Sequence, residues 1–274
     1  MRTLLLVIDP QRSFCEVVDQ TQQQTLHNGE LCVPGAWEDM NRLANAIRNS
    51  GKKINSIVCT LDSHHPWHIA HGRWYNPVPA PFTVLSNVNG EIVGSDGNKY
   101  DTAIPSLKSW TLNYLSELSN RKRYPHVIWP EHCLIGTLGS TVVPQLFEAF
   151  HEWSQVNKNN VTYVTKGSNP KVEHFGAVFA EVEDPQDFTT KLNTDFVNLV
   201  MSYDRILLAG EALSHCLANT VRDLSTQFPN GDLIRKCVLL QDCASSVPGF
   251  ETLGDSFISD MCKLGMKVIK SDEI

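Results

Sequence analysis

Short apolar runs rich in Val, Ile and Leu recur along the chain, and a polar loop follows each of them. The runs stand at residues 4–8, 54–60, 126–128, 161–164, 205–209 and 237–240. Strands that are apolar on both faces are typical of a parallel sheet covered on both sides. Amphipathic segments separate several of the runs, at residues 37–49, 142–156, 187–201, 215–227 and 250–264. This alternation predicts a three-layer, doubly wound α/β fold, with helices on both faces of a mostly parallel sheet.

The segment of residues 72–124 interrupts this alternation. It is rich in Pro and Gly, carries Asn89-Gly90 between two β-prone runs, and ends in a helix-like stretch over residues 105–119. An Asn-Gly pair between such runs is a strong signal for a β-hairpin. We therefore predict one domain over residues 1–274, with a hairpin and a helix inserted at about residues 72–124.

The charge of the chain argues against two classes of partner. The 274 residues carry 23 basic and 30 acidic side chains, a net charge of -7. The longest basic cluster is residues 121–123. Nucleic acid and anionic membrane surfaces are therefore not expected as partners.

The N-terminus and the cysteines suggest a cytoplasmic protein. The first apolar run has five residues before Asp9, which is too short for a signal peptide or a membrane span and favours a buried strand. The eight cysteines contain no CxxC pair. We therefore expect free thiols in a reducing compartment.

Reactive residue types follow the apolar runs. In an open parallel sheet, ligands bind beyond the carboxyl ends of the strands. Asp9, Lys166 and Cys216 each lie at or after such an end. Taken singly, an aspartate there is typical of a turn and a lysine of the surface. Together they supply a base, a cation that holds the carboxylate and favours a thiolate, and a nucleophile near the start of a helix.

Potential metal ligands are concentrated in DSHHPWHIAH, residues 62–71. They are Asp62, His64, His65, His68 and His71. Clustered histidines are equally typical of a solvated surface, so this segment alone leaves both interpretations open. His132, in a later loop, would complete an Asp-His-His set with open positions, which is the arrangement of a catalytic metal site.

Five segments, in order, resemble the nicotinamidases of the isochorismatase-like cysteine hydrolase superfamily. They are IDPQRSF (8–14), DSHHPWH (62–68), WPEHCLIGTLGS (129–140), TKGSNP (165–170) and GEALSHCLANTVRDL (210–224). The resemblance implies a catalytic triad of Asp9, Lys166 and Cys216. It implies the metal ligands Asp62, His64 and His132, with His68 matching a histidine that is a further ligand in some members.

The resemblance also implies the surroundings of the nucleophile. A cis peptide bond before Ala212 would direct the Ala212 and Cys216 amides to the oxyanion, and Phe14 and Trp129 would sandwich the substrate ring. Three segments depart from the family pattern, and these departures leave the fourth ligand and the pocket wall open. They are Ile69-Ala70-His71, Phe175-Gly176 and Leu213-Ser214-His215.

The implied activity is a metal-dependent amidohydrolase that converts nicotinamide to nicotinate and ammonia through a cysteine thioester. In such enzymes a divalent metal, zinc or alternatively iron or manganese, binds the pyridine nitrogen directly or through water. NAD salvage within pyridine nucleotide metabolism, and a homo-oligomer, are the expected context. Two alternatives remain: a hydrolase of another small amide or carbamoyl compound, and a catalytically silent metal-binding homologue.

Overall fold

The computed structural model describes residues 1–19, 24–228 and 230–274, which form thirteen β-strands and six α-helices. The strands are β1 Thr3–Ile8, β2 Glu16–Asp19, β3 Gln24–Asn28, β4 Ser56–Asp62, β5 Tyr75–Asn76, β6 Val84–Val88, β7 Glu91–Gly94, β8 Lys99–Thr102, β9 His126–Val127, β10 Thr162–Lys166, β11 Arg205–Gly210, β12 Cys237–Leu240 and β13 Lys267–Ile269. The helices are α1 Ala36–Ser50, α2 Lys108–Arg121, α3 Pro144–Asn157, α4 Thr194–Met201, α5 Ala218–Gln227 and α6 Glu251–Lys263.

A six-stranded sheet forms the centre of the fold. Its strand order is β10-β4-β1-β11-β12-β13, and every neighbouring pair is parallel. All six residues of β1 are buried, and they alternate between two cores. Leu5 and Val7 face one core, whereas Leu4, Leu6 and Ile8 face the other. The sheet is therefore covered on both sides, as the continuous apolar runs predict.

Helices form the two outer layers. Apolar residues of α1 and α3, including Met40 and Phe150, fill one core. The other core is filled from α4, α5 and α6, for example by Val200, Leu224 and Phe257. The three-layer, doubly wound fold predicted from the sequence is confirmed.

The inserted segment forms a second, antiparallel sheet in the order β5-β8-β7-β6-β9. Asn89 and Gly90 join β6 to β7 with φ values of 52° and 85°, as a type I′ hairpin turn requires. Helix α2 packs on this sheet through Tyr114, Leu115 and Leu118. The predicted hairpin and helix are present, while the assignment of the whole chain to one domain stays a prediction.

Several elements differ from the sequence prediction. The run at 126–128 was expected in the parallel sheet, but β9 pairs antiparallel with β6. An apolar run of this length does not reveal its partner strand, which is chosen by tertiary packing. The short edge strand β13 was not predicted, because its three residues include a lysine and do not form an apolar run. Helix α4 begins only at Thr194, because residues 188–190 form a separate 3₁₀ turn that Asp187 caps.

Two further expectations concern the thiols and membranes. All eight cysteines are free thiols. Within the described ranges, no helix has the length and apolar character needed to cross a bilayer.

Candidate active site

Four neighbouring strands carry the candidate catalytic groups to one edge of the central sheet. Lys166 ends β10 and pairs in register with Asp62, which ends β4. Ile8 of β1 pairs with Gly210 of β11, so Asp9 and the turn that leads to Cys216 follow side by side. Because parallel strands end at the same edge, residues far apart in sequence meet there.

Asp9 is held by β4. Its backbone N–H donates to Thr60 Oγ1 at 3.0 Å, and that hydroxyl donates to Asp9 Oδ1 at 2.6 Å. The second carboxylate oxygen lies 2.8 Å from Lys166 Nζ. Burial raises the pKa of Asp9, although the Lys166 charge opposes this rise. The side chain is fully buried, so its orientation is determined by these partners.

Lys166 lies at the centre of the site. Its ammonium is 2.8 Å from Asp9, 3.0 Å from Asp62 Oδ1 and 3.7 Å from Cys216 Sγ. Only 3% of the residue is exposed. Burial would lower the pKa of Lys166, but the Asp62 and Asp9 carboxylates outweigh burial and raise it well above its ordinary value. This lysine is therefore a permanent cation between two carboxylates and a thiol.

A π-helical turn presents the nucleophile. The sequence predicts a helix from residue 215, but Leu213–Leu217 forms a π turn before α5 begins at Ala218. Such turns occur often at functional sites. The strand before it ends at Gly210, where φ is 113° and a Cβ would lie 2.0 Å from the Ile8 carbonyl oxygen. The peptide bond between Glu211 and Ala212 is cis, as the family resemblance implies.

The pKa of Cys216 differs from the sequence expectation. Burial raises it well above the ordinary value, and Asp9 and Asp62 raise it further. Lys166 lowers it, as expected, but does not outweigh burial. The thiol of Cys216, the candidate nucleophile, is thus protonated at rest beside a carboxylate that can accept its proton, rather than a preformed thiolate.

Asp62, His64 and His132 form a compact, buried donor set whose ligand atoms all lie within 4.8 Å of one another. Asp62 Oδ2 is 2.8 Å from His64 Nε2 and 3.4 Å from His132 Nε2. His64 Nδ1 donates to the Gly167 carbonyl at 3.1 Å, and His132 Nδ1 donates to the Pro130 carbonyl at 2.8 Å. Ligating histidines are usually held in this way, with the other ring nitrogen donating to a carbonyl or carboxylate.

The charges of this set also fit a divalent cation. Burial would raise the pKa of Asp62, but His64 and Lys166 hold it well below its ordinary value, so Asp62 is ionised. Burial would lower the pKa of His64, but Asp62 raises it. A metal ion binding between these two groups takes the place of that proton. The residues can therefore hold a divalent metal, whose identity they leave open.

His68 lies beside this group without being part of it. The residue is fully buried, and its ring centroid is 4.4 Å from that of His64. Its nitrogens fall outside the set of mutually close ligand atoms. The sequence-based interpretation of His68 as a further ligand therefore stays a prediction at this point.

A small cavity is lined both by the Cys216 thiol and by Asp62 and His132 of the candidate metal-binding set. Its polar lining includes Cys216, Lys166, Asp62 and His132, and Ala212 borders it as well. The aromatic and apolar walls come from Phe14, Leu31, Trp129, Phe175, His215 and Val247. Phe14 and Trp129, which were predicted to sandwich the substrate ring, thus both line the cavity. Their contact with a substrate stays a prediction.

Two departures from the family pattern line this cavity. Phe175 packs against Tyr124 with centroids 5.4 Å apart. His215 packs edge-on against Trp129 at 5.4 Å, and burial lowers its pKa to about 4. His215 is therefore a neutral aromatic wall at physiological pH.

Sequence reasoning missed several residues that support the site. Thr60 sits inside β4, where only the structure reveals that its hydroxyl faces Asp9. Gln11 accepts from the Asp62 N–H at 2.7 Å and donates to the Asp62 carbonyl at 2.7 Å. The only signal for Gln11 was its position in IDPQ. Glu173 and His174 also line the cavity and are buried.

Comparison with known proteins supports the fold. Neither a protein-family model nor a curated protein matches the chain. The yeast nicotinamidase Pnc1p bound to the inhibitor nicotinaldehyde is 17% identical with a TM-score of 0.64, over 98% of this chain and 99% of that one. The pyrazinamidase of Pyrococcus horikoshii in complex with zinc is 17% identical with a TM-score of 0.55, over 98% and 99%. An isochorismatase-like hydrolase from Alkaliphilus metalliredigens is 14% identical with a TM-score of 0.52, over 100% and 97%. The chain has the fold of nicotinamidases and isochorismatase-like hydrolases.

Proposed function

We propose that this chain is a metal-dependent cysteine amidase that hydrolyses nicotinamide to nicotinate and ammonia. The observation that carries the proposal is the shared cavity, which places Cys216 and Lys166 beside Asp62 and His132. A thiol, a general base and a metal-binding set around one small cavity are the parts that such a reaction needs. The yeast structure with the same fold is a nicotinamidase that binds nicotinaldehyde.

The first half-reaction acylates the thiol. Asp9 accepts the Cys216 proton as the sulfur attacks the amide carbonyl. The pKa of the Asp9 carboxyl and that of the Cys216 thiol are both raised, so the proton moves during the attack and no thiolate forms beforehand. The Ala212 and Cys216 amides stabilise the oxyanion. Protonated Asp9 then gives its proton to the departing nitrogen, so that ammonia leaves and a thioester remains.

The second half-reaction releases the acid. Asp9 accepts a proton from water, the resulting hydroxide attacks the thioester carbonyl, and the C–S bond breaks. The sulfur recovers its proton from Asp9, which returns the site to its starting state. Lys166 holds the carboxylate in place at 2.8 Å and balances the negative charge that develops near Cys216.

Substrate orientation depends on the other end of the cavity. Asp62, His64 and His132 would hold the divalent metal, which supplies a Lewis acid for the pyridine nitrogen when it is bound. Phe14 and Trp129 line the same cavity. A flat aromatic amide suits a narrow cavity whose walls are mostly aromatic.

Ammonia release from nicotinamide tests the proposal. The purified chain, loaded with zinc, iron or manganese in turn, is compared with Cys216→Ala and with Cys262→Ala, an exposed cysteine. We expect Cys216→Ala to lose about 10³-fold or more of kcat and Cys262→Ala to retain wild-type activity. No turnover of nicotinamide with any of these metals bound would refute the proposed substrate. Turnover of other small amides or carbamoyl compounds would then favour that alternative. Homo-oligomerisation, a cytoplasmic location and a role in NAD salvage stay predictions.

A further inference from the structure

Four imidazoles form one buried cluster at the metal-binding end of the cavity. The ring centroid of His71 lies 5.5 Å from that of His64, 5.2 Å from that of His68 and 5.7 Å from that of His132. All four residues are at most 4% exposed. An imidazole binds a metal only through a nitrogen that carries no proton, so the positions of the protons decide which members can be ligands.

Backbone hydrogen bonds fix the protons on three of the rings. A carbonyl oxygen can only accept, so a ring nitrogen bonded to it must carry the proton. His64 Nδ1 faces the Gly167 carbonyl and His132 Nδ1 faces the Pro130 carbonyl. His71 Nδ1 faces the Pro66 carbonyl at 3.4 Å, the longest of the three contacts. In the neutral form each of these rings therefore presents an unprotonated Nε2.

His68 has the opposite arrangement. The backbone N–H of Ala70 donates to His68 Nδ1 at 3.2 Å. A backbone amide can only donate, so Nδ1 holds a lone pair and the proton of the neutral ring must be on Nε2. His68 therefore presents an N–H group to the cluster, which can donate a hydrogen bond but cannot bind a metal.

The inward nitrogen of His71 needs an occupant. His71 Nε2 is buried, and none of the described residues offers it a hydrogen bond. His68 Nε2 is also buried without a partner among these residues, but it carries the proton of the neutral ring and has no lone pair for a metal. A buried polar atom without a partner is costly, and a metal ion is the partner that an unprotonated imidazole nitrogen accepts best. The His71 backbone is anchored as well, by a β-bridge to Trp129 in the loop that leads to His132.

We propose that His71, rather than His68, is the fourth protein ligand of the metal site, together with Asp62, His64 and His132. The inference rests on the metal site of the proposed function, and not on nicotinamide as the substrate. His71 lies outside the group whose ligand atoms are all within 4.8 Å of one another, so its ring turns toward the ion when the ion binds. Three imidazoles and one carboxylate favour zinc and neighbouring transition metals over magnesium and calcium.

Cobalt binding to the metal-free, full-length chain tests this assignment without any assay of activity. The dissociation constant and the visible Co²⁺ spectrum are measured for the wild type and for His71→Gln, His68→Gln and His65→Gln. His65 is exposed in the same segment and serves as the matched control. We expect His71→Gln to weaken binding by about 10- to 100-fold or more and to change the spectrum. His68→Gln and His65→Gln should keep the affinity and spectrum close to those of the wild type.

Three results would overturn the assignment: a loss of affinity confined to His68→Gln, equal losses in both variants, or no loss in either. If His71→Gln does not fold, long-range ¹H–¹⁵N spectra of the wild type decide the question. They should show His68 protonated at Nε2 with and without Zn²⁺, and a zinc-dependent shift of His71 Nε2. An Nδ1-protonated His68 that shifts with zinc would refute the proposal. Binding through His71 without nicotinamide turnover would refute only the proposed substrate.

Discussion

Replacing Lys166 with methionine removes the cation that lies between Asp9 and Asp62. The two carboxylates are 2.8 and 3.0 Å from its ammonium, and the residue is almost fully buried. Removing one partner of a buried ion pair typically costs about 3–5 kcal/mol, because the remaining charge is left without compensation. Since two carboxylates lose their partner here, we expect the free energy of unfolding to fall by about 5 kcal/mol, the upper end of that range.

The loss should depend on pH in a defined direction. Lys166 lowers the pKa of both Asp9 and Asp62, so both values rise when it is removed. The folded variant then binds protons that the unfolded chain releases above about pH 4. Its free energy of unfolding therefore rises as the pH falls, and the deficit relative to wild type should be smaller at pH 5.5 than at pH 7.5.

Urea unfolding of the metal-free chain at both pH values measures this effect. Adding Asp9→Asn to Lys166→Met removes one unpaired charge and should restore part of the stability. Lys263→Met is the matched control, because Lys263 pairs only at the surface with Asp260 at 3.3 Å and should change stability little. A deficit below about 1 kcal/mol, or the same deficit at both pH values, would refute the electrostatic account of Lys166.

Two further predictions concern backbone and buried charge away from the thiol. Gly210→Ala should lower the free energy of unfolding by about 3 kcal/mol or more. Gly97 also has a positive φ but open space around it, so Gly97→Ala should lower the free energy of unfolding by only about 1 kcal/mol. Equal costs in chemical denaturation would contradict the close approach at Gly210. Burial raises the pKa of Glu181 to about 7, although the nearby Arg123 charge opposes this rise. The folded protein therefore holds a proton that the unfolded chain releases, so the free energy of unfolding of the wild type should fall as the pH rises from about 4.5 to 7. Glu181→Gln should flatten that fall, by up to about 3 kcal/mol, in unfolding curves taken from pH 5 to 8. Parallel curves for the two proteins would show that Glu181 does not titrate in this range.

The layers of the fold and the sheet edge that carries the candidate catalytic residues follow from the pattern of apolar runs. Continuous apolar runs such as residues 4–8 and 205–209 are typical of strands covered on both faces. Strands of a parallel sheet share one carboxyl edge, so the sequence places Asp9, Lys166 and Cys216 at the same edge. The strand order β10-β4-β1-β11 then brings them close together. The Asn89-Gly90 turn was equally local, because its backbone conformation depends on those two residues.

Other features depend on residues distant in the sequence and are therefore visible only in the folded chain. The strand at residues 126–127 pairs with β6 of the inserted sheet. Around Cys216, a π turn takes the place of the first turn of the expected helix. The raised pKa of Cys216 reflects how completely the fold removes it from water, which a list of nearby charges does not reveal. The protons on His68 and His71 are set by backbone groups of the folded loop, so spacing in DSHHPWHIAH could suggest a metal site but could not choose its ligands.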